Sequence, residues 1–154
     1  MDIKIRKAGL TDLELLIKWR MEVLLEVFSI PAGQSMQKLE QENRVYYKDA
    51  IPKEEHLACF ALADKRIIGC GGVCLYREMP SPDNTNGKCA YLMNIYTLPG
   101  FRGHGAGRKT VNWLLQQATE KGATKIYLET SAHGRPLYQE MGFCDMYGYM
   151  KLKE

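Results

Sequence analysis

Three closely spaced glycines in the second half of the chain can bind an anionic ligand. They lie in the run Arg102-Gly103-His104-Gly105-Ala106-Gly107, between an apolar stretch and an amphipathic one. Glycines allow backbone N–H groups to converge on an oxyanion, because no Cβ stands in the way. A helix that begins here adds its unpaired N–H groups and the positive end of its dipole. Arg102 or Arg108 can add charge-assisted hydrogen bonds, so the sequence predicts a phosphate-binding loop.

Two common nucleotide-binding motifs do not match this loop. A P-loop reads Gly-x-x-x-x-Gly-Lys-[Ser/Thr], whereas here Arg108 follows Gly107 and moves Lys109-Thr110 out of register. A dinucleotide fingerprint reads Gly-x-Gly-x-x-Gly, and the glycines at 103, 105 and 107 are spaced differently. A P-loop nucleotide-binding protein and a glycine-rich turn without a ligand stay open as alternatives.

The apolar pattern around the loop predicts the elements that hold it. Alternating and short apolar runs predict strands at Ile3–Arg6, Leu57–Ala63, Arg66–Tyr76, Ala90–Leu98, Lys125–Thr130 and Phe143–Leu152. Apolar stripes of helical period predict helices at Thr11–Phe28, Gln34–Ala50, Arg108–Lys121 and Pro136–Met141. Thr11 and Glu14 have the spacing of a capping box, and Gly71-Gly72 predicts a bulge or a close backbone approach. The order β-α-α-β-β-β-α-β-α-β predicts one mixed α/β domain over residues 1–154.

Composition and charge exclude several classes of function. The chain has 45% apolar and 25% charged residues and a net charge of +3, with its basic residues spread out, so we expect no nucleic-acid partner. No apolar run approaches the roughly 20 residues of a membrane span, so no membrane association is expected. The N-terminus lacks the apolar core of a signal peptide, which favours a cytoplasmic location. The five cysteines and three histidines are not clustered, and we expect no metal site.

One charged residue interrupts the apolar face of the first predicted helix. Arg20 lies at helical spacing with Leu16, Ile17 and Leu24. It either faces a cleft, where it would recognise a carboxylate or phosphate of a substrate, or it extends to solvent or pairs with an acidic residue. Glu22 and Glu26 fall on the opposite face and are expected to be solvated.

Two motifs together resemble a known family. The pattern Arg102-x-x-Gly105-x-Gly107 resembles the coenzyme A signature Gln/Arg-x-x-Gly-x-Gly/Ala of the GNAT superfamily of N-acetyltransferases. The stretch Pro136–Phe143 is similar to the family's later motif, in which Leu-Tyr is followed by Gly-Phe. With the element order, the resemblance covers nearly the whole chain and is weakest over residues 1–51. Ser131 and Gly134 stand where many relatives carry an asparagine and an alanine.

The resemblance implies a single-domain GNAT-like fold, with a mixed central sheet, a splayed strand pair and flanking helices. It implies acetyl-CoA as cosubstrate and a primary amine, on a small molecule or a peptide, that attacks the thioester directly in a ternary complex. The pantetheine arm would lie beside a bulged strand, with a backbone N–H near Ile95 or Tyr96 at the thioester oxygen. The expected coenzyme-binding residues are Ile95, Tyr96, Thr97, Arg102, Gly103, His104, Gly105, Ala106, Gly107 and Arg108.

The same resemblance implies Tyr138 as the general acid. An unperturbed phenol has a pKa of about 10, which suits proton donation to a thiolate. The alternative is a tyrosine that only packs and hydrogen-bonds to the coenzyme sulfur. Tyr91 stands where many relatives carry a glutamate, and Glu129 is the nearest acidic residue, so no base is assigned. A non-catalytic acyl-CoA-binding sensor or interaction module is the alternative function, while the acceptor and a homodimeric state stay open.

Overall fold

A computed structural model describes residues 1–154 and contains one five-stranded sheet in the order β1-β2-β3-β4-β5. The strands are β1 (Ile3–Ala8), β2 (His56–Ala63), β3 (Arg66–Arg77), β4 (Lys88–Thr97) and β5 (Lys125–Leu128). The pairs from β1 to β4 are antiparallel, and β4 pairs with β5 in parallel. This mixed sheet confirms the predicted fold class.

Four α-helices flank the sheet. They are α1 (Leu13–Val27), α2 (Gln37–Ala50), α3 (Ala106–Glu120) and α4 (Arg135–Glu140). Short 3₁₀ turns precede α1 and α3, at Leu10–Asp12 and Pro99–Phe101. None of these helices combines the length and the apolar character that a membrane crossing requires.

The sheet is covered on both faces, which explains why β2 is almost wholly apolar. Successive side chains of a strand point to opposite faces. Ala58 and Phe60 pack in one buried cluster with α1 and α2, whereas Leu57 and Cys59 pack with α3. Strands buried on both faces show continuous apolar runs, and β2 has this character.

The start of the first helix differs from the prediction. Thr11 is exposed and lies within the 3₁₀ turn, and α1 begins only at Leu13. The Asp12 carboxylate accepts a hydrogen bond from the backbone N–H of Gly9 at 3.0 Å and pairs with Arg6 at 3.2 Å. A carboxylate that binds an orphan N–H three residues back stabilises a helix start, so the capping side chain is Asp12. The second helix likewise begins at Gln37, three residues after the predicted position.

The strand predicted at Phe143–Leu152 is wrong. No regular secondary structure follows α4, and only Phe143 of this segment packs against the core. Gly148 adopts a φ of +95°, which interrupts an extended run. Met150 and Leu152 are 99% and 92% exposed. Alternating apolar residues form a strand only when a neighbouring strand accepts their hydrogen bonds and another layer covers them.

The glycine pair in β3 allows α3 to lie close to the sheet. A Cβ on Gly71 would come within 2.5 Å of Cγ2 of Thr110 and 3.1 Å of Cδ1 of Leu114, both on α3. A Cβ on Gly72 would come within 2.8 Å of Nε2 of His56. The close approach predicted for this pair is present, although side chains and not another backbone make it, and α3 lies close to β3 at Gly71. The register with β4 also shifts here, between Cys70 and Gly72.

The variant Gly71→Ala tests this packing. It is expected to lower the free energy of unfolding by about 1–3 kcal/mol, because Thr110 or the α3 backbone must move. Urea denaturation measures the change. Gly100→Ala is the matched control, since a Cβ there meets nothing within 4 Å and an effect below about 0.5 kcal/mol is expected. Equal stability of the two variants would show that α3 does not depend on this close approach.

Candidate active site

The glycine loop leads directly into α3. Gly103 and Gly105 have φ angles of +81° and +88°, and Gly105 is the N-cap residue of α3. A Cβ at either position would meet nothing within 4 Å, so the backbone conformation, not space, requires glycine. The first backbone bond of α3 runs from the N–H of Lys109 to the carbonyl of Gly105 at 3.0 Å. The N–H groups of residues 103–108 have no backbone partner, and those of residues 106–108 lie at the positive end of the helix dipole, as an anion site requires.

One extra residue interrupts the pairing of β4 with β3. Gly72 pairs with Met93 and Cys70 pairs with Tyr96, so three steps along β4 oppose two along β3. Asn94 adopts a φ of +57° at this bulge. A bulge bends its strand and leaves backbone groups unpaired. The bulge expected along this strand is present, and it begins one residue before the predicted Ile95.

The strands β4 and β5 separate after a short parallel ladder. Their pairing runs from Cys89 with Lys125 to Leu92 with Leu128, while β4 continues unpaired on this side to Thr97. The predicted splayed pair is confirmed. The gap opens into a cleft of 920 Å³.

Most of the predicted site residues line this one cleft. His104, which is exposed, is the single exception among them. The predicted residues in its wall are Arg20, Ile95, Tyr96, Thr97, Arg102, Gly103, Gly105, Ala106, Gly107, Arg108 and Tyr138. The wall therefore joins the bulge, the glycine loop, α4 and the C-terminal half of α1.

Tyr138 projects into the cleft from α4. Its ring meets that of Phe143 edge-on, with 5.8 Å between the centroids. Gly134 leaves room for it, because a Cβ there would lie 3.3 Å from the Tyr138 ring and 2.6 Å from Oγ1 of Thr130. Burial raises the pKa of the Tyr138 phenol, and no neighbouring charge contributes to the shift. The phenol therefore stays protonated at neutral pH and can donate its proton.

Arg20 reaches the cleft at the bulge. Its Nε donates to Oδ1 of Asn43 at 3.2 Å, and its Nη1 donates to Oδ1 of Asn94 at 3.1 Å. No carboxylate lies within ion-pair distance of it, so of the alternatives considered for Arg20 the pair with an acidic residue is not formed. The side chain is half-buried, and two neutral amides hold it.

Comparison with known proteins identifies the family. The profile of the Acetyltransferase (GNAT) family matches residues 20–143, which include the bulge, the glycine loop and Tyr138. The chain belongs to the GNAT family.

Individual relatives agree with this assignment. The GNAT chain is 32% identical over 80 residues to an uncharacterized N-acetyltransferase of Escherichia coli K12, YjgM, and the match covers 50% of the chain and 44% of that protein. A predicted acetyltransferase of Clostridium acetobutylicum, crystallised with acetyl-CoA, is 26% identical with a TM-score of 0.87, over 99% of this chain and 96% of that one. A GCN5-related N-acetyltransferase of Ralstonia eutropha JMP134 has the same fold at 20% identity, with a TM-score of 0.81 and 99% of both chains covered.

The P-loop alternative is wrong for this GNAT protein. A P-loop lysine must reach the phosphates from the helix start. Here Nζ of Lys109 donates to the backbone carbonyl of Ile3 in β1 at 3.0 Å. The lysine therefore fixes α3 to the far edge of the sheet and is bound outside the loop.

The two arginines of the glycine loop already have carboxylate partners in the GNAT fold. Nε of Arg102 donates to the carbonyl of Thr97 at 2.9 Å, and its Nη2 lies 3.3 Å from Oε1 of Glu26. Glu26 also accepts a hydrogen bond from the Tyr96 phenol, and this bond, reinforced by Arg102, lowers the pKa of Glu26. Arg108 pairs with Glu140 at 2.5 Å. Glu26 is exposed to solvent, as expected, but it is also paired and connects α1 to the loop.

Two further side chains at the open end of β5 bear on proton transfer. The ring of Tyr91 stacks on Tyr127, with the centroids 4.7 Å apart. Burial, followed by the charge of Glu129 and a hydrogen bond to it, raises the pKa of Tyr91 to about 12, so Tyr91 cannot act as a base at neutral pH. Glu129 is exposed and lines the cleft. No group of three His, Cys, Asp or Glu side chains is arranged to hold a metal ion.

The two amides that hold Arg20, those of Asn43 and Asn94, were not predicted from the sequence. Asn94 offers a signal in retrospect, because asparagine is disfavoured within strands and tolerates positive φ angles. A polar residue inside an apolar strand thus indicates the bulge. Asn43 lies on a polar helix surface, and its position there carries no comparable signal.

Proposed function

We propose that the protein transfers the acetyl group of acetyl-CoA to a primary amine by direct attack within a ternary complex. The observation that carries this proposal is the single cleft that joins the β4 bulge, the N-terminus of α3 and the Tyr138 phenol. Membership of the GNAT family supports it, as does the similarity to an acetyltransferase crystallised with acetyl-CoA. The acceptor would be a small molecule or a peptide.

The chain fits the coenzyme at two places. The N–H groups of residues 103–108 would bind the pyrophosphate, because two glycines with positive φ angles open the loop at the start of α3. The amides of the pantetheine arm would hydrogen-bond along β4 beyond Leu92, where β5 no longer pairs with it. A backbone N–H near Ile95 or Tyr96 would polarise the thioester carbonyl. Such a preorganised donor contributes roughly 3–4 kcal/mol to stabilising a transition state.

Acetyl transfer requires that two protons move. The amine nitrogen forms a bond to the carbonyl carbon, the carbon–sulfur bond breaks, and the thiolate takes the proton of the Tyr138 phenol. The attacking nitrogen loses a proton, and Glu129 is the carboxylate that can accept it, because Glu140, the other one in the cleft wall, is paired with Arg108. A proton relay through water would then restore the phenol.

Tyr138→Phe tests the function and the acid role together. Release of free CoA thiol is measured over a panel of amines, and turnover of at least one amine is expected. Replacing the phenol is expected to lower kcat about 100-fold with little change in KM, because only the departing thiolate needs the proton. Tyr147→Phe, in the exposed C-terminal segment, is the control and keeps full activity. Absence of turnover with every amine contradicts the enzymatic function, and an unchanged kcat contradicts the acid role alone.

Gly105→Ala tests the anion site separately from catalysis. Alanine at a φ of +88° costs about 1–2 kcal/mol, so the loop shifts and its N–H groups no longer converge. We expect the Kd for acetyl-CoA, measured by calorimetry, to rise about tenfold. Gly100→Ala lies on the preceding turn, in open space, and leaves the Kd unchanged. A Kd for Gly105→Ala within about twofold of the unmodified protein's would place the coenzyme elsewhere.

A further inference from the structure

Arg20 is a half-buried cation with no acidic partner. Five of the other seven guanidinium groups have carboxylate partners, namely those of Arg6, Arg44, Arg102, Arg108 and Arg135. The remaining two, Arg66 and Arg77, are exposed to solvent. The side-chain hydrogen bonds of Arg20 go to the amide oxygens of Asn43 and Asn94. A charge withdrawn from water costs free energy unless an opposite charge compensates it. An anionic ligand in the cleft would supply that compensation.

The two amides fix the direction of the guanidinium. Asn43 occupies Nε and Asn94 occupies one hydrogen of Nη1, which leaves the other N–H donors of Nη1 and Nη2 for a ligand. The planar fork of a guanidinium matches the oxygens of a carboxylate or a phosphate, which it binds through paired hydrogen bonds. Arg20 is therefore oriented like a residue that recognises an oxyanion.

The location of Arg20 limits the separation between the amine and the oxyanion of the ligand. Asn94, which holds Nη1, is the bulge residue and directly precedes Ile95, near which the reacting carbonyl is placed in the proposed function. The oxyanion would therefore lie close to the carbonyl carbon that the amine attacks. Its amine and its oxyanion must be separated by only a few bonds.

We propose that the acceptor is a small primary amine that carries an oxyanion, a carboxylate or a phosphate monoester, close to its nitrogen. Arg20 binds the oxyanion, while the ammonium end faces Glu129 across the same cleft. This inference rests on the proposed acetyl transfer. Polycationic amines are poor acceptors under this arrangement, because an additional cation would meet Arg20 at close range.

Matched acceptors test the proposal with the unmodified chain. The panel pairs the α-, β- and γ-amino carboxylates with their carboxamides, and 2-aminoethyl phosphate with 2-aminoethanol. We expect kcat/KM for at least one anionic member to exceed that of its neutral partner. Arg20→Gln is expected to lower that value roughly 10- to 100-fold, as for the loss of hydrogen bonds to a charged group, and to change the neutral partner by less than about threefold.

Arg44→Gln is the matched control. Arg44 lies on α2 next to Asn43, pairs with Glu14 and Glu40, and does not line the cleft, so this variant keeps the preference for anions. Comparison of the carboxylate and phosphate arms identifies which oxyanion is the better fit. A neutral or polycationic amine that the unmodified protein acetylates more efficiently than every anionic amine overturns the proposal and leaves acetyl transfer intact.

A binding measurement separates this inference from the proposed function. Thermal denaturation with CoA present is followed with each anionic amine and its neutral partner. A larger rise in Tm with the anionic member than with the neutral one, which disappears in Arg20→Gln, supports the anion site even if no amine is acetylated. In that case the missing turnover contradicts the enzymatic function alone. Absence of both turnover and Arg20-dependent binding overturns the proposal.

Discussion

The extra residue in β4 at Asn94 determines how the rest of the site is built. Before the bulge, β4 pairs with β3 on one side and with β5 on the other; beyond Leu92 only β3 still pairs with it. A sheet that continued in regular register would have no gap for a ligand, because its strands would satisfy one another's backbone groups. The bulge instead leaves a cleft with unpaired main chain on one wall, and Gly71 lets α3 lie close enough to place its N-terminus at the end of that cleft.

Charge is distributed unevenly along the cleft. Arg102 and Arg108 are paired with Glu26 and Glu140, so at the glycine loop backbone N–H groups are the donors without partners. Exposed ion pairs of this kind are weak, and both arginines can exchange a carboxylate for a phosphate at little cost. At the bulge the situation is reversed, because Arg20 is held by amides and has no counter-ion. The cleft thus offers free backbone N–H groups at the glycine-loop end and a guanidinium without a counter-ion at the bulge end.

The parts of the fold that depend on local chemistry could be predicted from the sequence, and those that depend on distant partners could not. Closely spaced glycines before an apolar stripe of helical period predict the loop and α3 without reference to any other part of the chain. Glu26 looked solvated on its own helix, but its partner Arg102 lies 76 positions away, as Asn94 lies 74 positions from Arg20. The failed strand after Gly142 has the same origin, because a strand requires a neighbour that local alternation does not reveal.

A crystal structure of the protein with CoA would show where the bulge and the splayed strands place the coenzyme. We expect the pyrophosphate on the N–H groups of residues 103–108, the pantetheine arm between β4 and β5, and the sulfur within hydrogen-bond distance of the Tyr138 phenol. A coenzyme bound outside the gap between β4 and β5, or a pyrophosphate held away from the start of α3, would contradict this placement.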